Sequence, residues 1–99
     1  MADLEAQVEQ EFRANTQRFR DLFASYEASI DDEDKLYMYA RFKQATVGDC
    51  REEAPSFNIT ESQRKTHAWL ALQGQDRFIC MAEYSMKLNA IMRQLGVVA

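Results

Sequence analysis

The sequence has little of what makes turns and little of what makes reactive sites. It holds three glycines and one proline in 99 residues. That scarcity suits a few long helices better than many short strands. His67 is the one histidine, so a metal site or proton relay would have no second imidazole. Cys50 and Cys80 lack metal-ligand spacing, and a secreted disulfide domain of this size carries more cysteines. No apolar run approaches the ~20 residues that span a bilayer. The opening MADLEAQVEQ is polar and acidic, unlike a signal or transit peptide. The expected setting is therefore reduced and cytoplasmic, with no stable membrane insertion. There is no glycine-rich phosphate loop. The run Asp31–Asp34 matches no calcium-loop spacing, and no Ser–His or Cys–His arrangement can be inferred. Neither catalytic residues nor a metal site are expected, and the chain is not read as an enzyme.

What is present supports one domain, placed over residues 1–99. Apolar residues make up 46% of the chain, enough for a core, and charged residues 28%. The net charge of -4 is unevenly spread. Residues 1–34 hold ten acids and three bases, whereas 35–99 hold six acids and nine bases. That later excess is too small to make nucleic acid the main partner. It does suit a smaller anion.

Four helical segments can be read. In the first, from about Asp3 to Tyr26, Leu4, Val8, Phe12, Phe19, Leu22 and Phe23 recur at helical spacing and form one apolar face. Asp3 is placed to cap it. SIDDED starts a second helix, with Asp31 or Asp32 as cap, and Gly48 stops it near Val47. Residues 48–59 are the longest connection and contain Pro55. NITESQ starts the third, where Thr60 and Gln63 have capping-box spacing; it runs to about Leu72 and ends at Gly74. The fourth runs from about Asp76 to Leu95, closed by Gly96. Its stripe is Met81, Tyr84, Leu88, Ile91, Met92 and Leu95, and Met86 is also assigned to the core. Four helices with one longer connection make an all-α bundle.

The segment LYMYARFKQATVGD, residues 36–49, breaks the simple pattern. Leu36, Ala40, Lys43 and Val47 fall within about 60° of one another round a helix, while Met38, Phe42 and Ala45 point the other way. A lysine thus sits within a second apolar face. Lys65 does the same in the third helix, sharing its side with Ala68, Trp69 and Leu72. Each could lay its methylenes over apolar surface with the ammonium in water. The alternative is a pair of cations at the mouth of an apolar groove, suited to a ligand with a phosphate at one end and hydrocarbon at the other.

This segment strongly resembles the signature of the acyl-CoA-binding protein family, a Leu-x-x-Tyr helix running into Lys-Gln-Ala-Thr-x-Gly-Asp. Leu36, Tyr39, Lys43, Gln44, Ala45, Thr46, Gly48 and Asp49 all match. The likeness extends over roughly residues 12–95 and is strongest over 36–84. It implies a four-helix up-down-down-up bundle with an open bowl for one long-chain fatty acyl-CoA. Family members bind, carry and pool such esters without catalysis. The resemblance sets Lys43 on the ribose 3′-phosphate of CoA, with Tyr39 beside the nucleotide and acyl chain. Lys65 meets the phosphates, and Tyr84 lies near the 3′-phosphate and adenine. Arg20 stands where many members place a basic phosphate contact. Leu36 and Phe42 complete the expected ligand set. On this reading Lys43 lies on an apolar face because that face meets ligand, with the bundle core on the helix's other side. No cofactor is implied, and a monomer is expected.

The sequence also departs from the family. Phe42 stands where tyrosine is common, and Thr66 replaces a tryptophan usual beside the helix-three lysine. Glu61 and Gln63 occupy positions that are often basic, and Ser56 replaces a common glycine. These changes imply the same ligand class with weaker binding or a different chain-length preference. The alternative is a helical protein-interaction module on the same scaffold, with weak or lost acyl-CoA affinity.

Overall fold

Helix ends follow the capping chemistry of the chain more closely than its acidic runs. In the computed structural model, which describes residues 3–97, four α-helices form: α1 (Leu4–Tyr26), α2 (Asp32–Thr46), α3 (Glu61–Leu70) and α4 (Arg77–Leu95). A 3-10 turn, Glu27–Ser29, extends α1. The Thr60–Gln63 capping box is present in full, both partners bonding back to the backbone. Asp76 accepts from the amides of Phe78 and Ile79 at the start of α4. Gly48 and Gly96 take positive φ, 95° and 73°, and stop α2 and α4 where a Cβ would be strained.

Two expected caps are absent. Neither Asp3 nor Asp31 makes a side-chain cap hydrogen bond. Asp32 and Asp34 instead pair with Lys35 at 3.8 Å and Lys87 at 2.9 Å. The first-turn acids still complement the positive end of the α2 dipole. The third helix ends at Leu70, and a tighter turn then carries the chain on, with the Leu72 amide donating to Trp69 O.

Side-chain pairs give the helix directions. Tyr39 lies against Lys65 and Lys43 against Trp69, so α2 and α3 run parallel. Asp34 meets Lys87 and Arg41 meets Glu83, so α2 and α4 are antiparallel. Phe12 meets Phe42 and Phe23 meets Lys35, so α1 and α2 are antiparallel, and Phe12 and Phe19 also pack α1 on Tyr84 of α4. The order is up-down-down-up, an all-α bundle with no strand among the described residues. Its core joins Phe12, Leu22, Met38, Ala40, Leu88 and Ile91, all buried.

The position of α2 corrects the reading of its second apolar face. This helix packs against α4 on one side and α3 on another. Ala40 is completely buried in the core, and Val47 is 61% exposed. Of the Leu36–Ala40–Val47 set, only Leu36 reaches the cavity described below. Periodicity signals that a face is covered, but not whether a helix or a ligand covers it. Two smaller corrections concern Leu4 and Met86, which are 73% and 69% exposed. Leu4 lies at the very start of α1, ahead of its buried residues. Met86 is about 170° round α4 from the buried stripe, so it cannot share that face.

A polar knot joins the far end of α2 to its neighbours. The Gln44 side chain, 2% exposed, donates to Asp49 Oδ1 at 2.8 Å and to Gln75 O at 3.3 Å. Its Oε1 accepts from the Trp69 indole at 3.2 Å, and that same N–H also reaches Gly48 O at 2.9 Å. Asp49 Oδ1 further accepts from the Gly74 amide at 2.8 Å. Gln44 thereby has every donor and acceptor engaged, the condition for burying an amide at little cost. Hydrogen bonds from the Gly74 amide and then from Gln44 hold the Asp49 carboxyl below its ordinary pKa.

Candidate functional site

α1 packs on α4 and α3 packs on α2, so α1 and α3 are held apart with a cavity between them. The cavity is about 500 Å³, within the usual range for a small-molecule site. α1 contributes Phe19, Arg20 and Phe23, and α2 contributes Lys35, Leu36, Met38, Tyr39 and Phe42. α3 adds Glu61, Arg64 and Lys65, and α4 adds Tyr84 alone.

The apolar part is aromatic and fixed by packing. The Tyr84 ring lies edge-on to Phe12 and Phe19, with centroids 5.1 and 6.1 Å away. Phe42 meets Phe12 at 6.1 Å. Phe12 has the core at its back, so this wall is anchored as well as apolar. Burial pushes the Tyr84 phenol up to about 12, opposed by the nearby Arg20 charge. Its hydroxyl therefore remains neutral and able to donate at any ordinary pH.

The charged part has several cations and their counter-charges. Lys35 pairs with Asp32 and lies 5.6 Å from the Phe23 centroid. Lys65 pairs with Glu61 at 3.2 Å and lies 5.2 Å from the Tyr39 centroid. Arg20 donates to Gln17 Oε1 at 3.0 Å. An apolar, aromatic interior with cations on both the α1 and α3 sides suits an amphiphile with an anionic head. No cluster of three or more potential metal-ligating side chains occurs among the described residues.

Six of the seven sequence-selected residues meet in this cavity: Arg20, Leu36, Tyr39, Phe42, Lys65 and Tyr84. Lys43 is not among its lining residues; its ammonium stands 4.9 Å from the Trp69 centroid. Thr66 does not line the cavity either, and its hydroxyl donates back to Ser62 O at 3.1 Å. Phe42 shows that cavity and core need not use opposite faces, since it lines one and packs against the other. Sequence reasoning missed Lys35 and Arg64. For Arg64 a signal existed: Glu61, Arg64 and Lys65 share one helix side at i, i+3 and i+4.

Comparison with known proteins places this geometry in context. The model of the family described as acyl CoA binding protein matches residues 9–88. An acyl-CoA-binding domain-containing protein 6 of Danio rerio is 38% identical over 86 residues, which is 87% of this chain and 27% of that one. An acyl-CoA-binding domain-containing protein 6 homolog of Dictyostelium discoideum is 36% identical over 64 residues, 65% of this chain and 22% of that one. This chain thus matches about a quarter of the length of those two relatives. The crystal structure of Oryza sativa acyl-CoA-binding protein 2 superposes with a TM-score of 0.72 at 28% identity, covering 90% of this chain and 94% of the other.

Proposed function

The chain belongs to the acyl-CoA-binding protein family, and on that premise we propose that it binds long-chain fatty acyl-CoA esters without catalysis, for transport and pool formation. The observation that carries this reading is the single cavity in which Tyr39, Phe42, Lys65, Tyr84 and Arg20 converge. The acyl chain lies against Phe19, Leu36, Met38 and Phe42, where burial gives about 0.8 kcal/mol per methylene before losses. The CoA head meets the cations. A charged hydrogen bond to phosphate is worth about 1.5–3 kcal/mol, so about ten buried methylenes outweigh any one cation. The groove therefore demands a chain, and the cations select the head.

Tyr84 contributes a neutral phenol at the cavity floor, and Tyr39 a ring already stacked under the Lys65 ammonium. Lys43, one turn beyond Tyr39, is assigned a phosphate at the cavity's edge. This assignment requires its ammonium to leave the Trp69 face or to share it with ligand. Action as a monomer in the cytoplasm completes the proposal, with no stable insertion into a membrane. No helix among the described residues is long and apolar enough to cross one.

Calorimetric titration with acyl-CoAs of several chain lengths tests the reading, with free CoA and the matching fatty acid as controls. One-to-one binding of the ester, tighter than either half alone, is expected. A folded protein that takes up no acyl-CoA would contradict it and favour a protein-interaction role for the same scaffold.

A further inference from the structure

Four cationic side chains line the cavity, and they differ in what neutralises them. Lys35 and Lys65 are each paired with an acid of their own helix, Asp32 and Glu61. Arg20 is tied to the neutral amide oxygen of Gln17. Arg64 stands apart. It lines the cavity and is half-buried, and its side chain has neither hydrogen bond nor ion pair among the described residues. Partial burial weakens the hydration of a charge, so a guanidinium left this way gains much from an incoming anion. Its planar fork offers several N–H donors and suits two phosphate oxygens at once, which an ammonium cannot match.

The placement adds a direction. Arg20 is on α1 and Arg64 on α3, the two helices that the cavity separates. Neither is committed to a carboxylate, whereas both cavity lysines are. We propose that Arg64 is a specificity-determining residue of this site. It binds phosphate oxygens of the ligand head from the α3 side, while Arg20 meets the same anionic head from α1. The sequence likeness marked Lys65 on this helix, not Arg64; Arg64 makes up for the acid at Glu61, which partly cancels Lys65. The proposal rests on the reading that the ligand is a CoA thioester.

The test compares the full chain with its Arg64→Gln and Arg64→Lys variants, each shown by circular dichroism to be folded. Dodecanoyl-CoA is titrated at several salt concentrations. Dodecanoyl-pantetheine, which has the same chain and thioester but no phosphate, serves as the neutral probe. Arg64→Gln is expected to weaken dodecanoyl-CoA binding by about tenfold to a hundredfold and to flatten its salt dependence. Affinity for dodecanoyl-pantetheine should stay the same. Arg64→Lys should fall between the two, keeping the charge and losing the fork. Unchanged dodecanoyl-CoA affinity in Arg64→Gln would overturn the assignment, as would an equal loss for both probes. If the unaltered chain bound no dodecanoyl-CoA, the carrier reading would fall and this proposal with it. Binding by the unaltered chain with no effect of Arg64→Gln would remove the proposal alone.

Discussion

The two halves of α2 are built for opposite ends. Toward its C-terminus, Gln44 and the following Asp49 lie in a closed knot where each amide donor and acceptor of Gln44 has a partner. Toward its N-terminus, Leu36 and Tyr39 face a cavity whose Arg64 has no partner among the described residues. One signature, Leu-x-x-Tyr running into Lys-Gln-Ala-Thr-x-Gly-Asp, spans both. Its first half faces the candidate ligand, and its second half ties α2 to the end of α3 and to the connection between α3 and α4. Lys43 sits at the junction, its charge over the knot's Trp69. Satisfied polar groups hold a fold in place; unsatisfied ones leave free energy for a ligand.

The largest test of this division is Trp69→Ala. Trp69 is 6% exposed and carries both the packing and the indole bonds of the knot. Its removal should cost about 3–5 kcal/mol of stability, read by denaturant unfolding. A loss below about 1 kcal/mol would show that the knot does not hold the bundle. Next comes Lys43→Ala, which probes the junction. It should weaken acyl-CoA binding by about 1–3 kcal/mol while costing only about 0.5–1 kcal/mol of stability from the lost cation–π contact. An unchanged affinity would move Lys43 wholly into the structural half.

Two pH predictions sharpen the contrast further. The Asp49 carboxyl is held below its ordinary pKa of 3.8. Its contribution to stability is therefore present above that value and is lost as pH falls through the lowered one. Asp49→Asn should flatten the acid side of the stability profile, and an unaltered profile would contradict the bond to the Gly74 amide. The second pH effect belongs to the cavity. Tyr84 is raised from 10 to about 12, so its contribution is complete below pH 10 and is lost as pH rises from there through 12. An ultraviolet titration should show one phenol ionising near 12, and Tyr84→Phe should remove that late step.

The bundle was largely legible because its signals are local. Thr60 with Gln63, Asp76, and the glycines that follow α2 and α4 act on neighbouring backbone, and each does so where expected. The acidic starts were less informative, because Asp32 and Asp34 have lysines within reach that only the fold brings near. Burial of Ala40 could be read from its spacing; that α3 packs on this helix could not. The site residues came mainly from the family resemblance, which marked Lys65 on α3 and passed over the adjacent Arg64. Gln44 and Asp49 were recognised as matching letters. Their joint bond to each other and to Trp69 and Gly74 depends on residues some 25 positions away.

The measurement that bears most directly on the division of α2 is amide chemical-shift mapping of the protein with and without dodecanoyl-CoA. Shifts are expected to concentrate at residues 16–27, 35–43, 61–65 and 84. Residues 73–77 and 86–95 should change little. Shifts centred on those two segments, with the cavity residues unmoved, would contradict it.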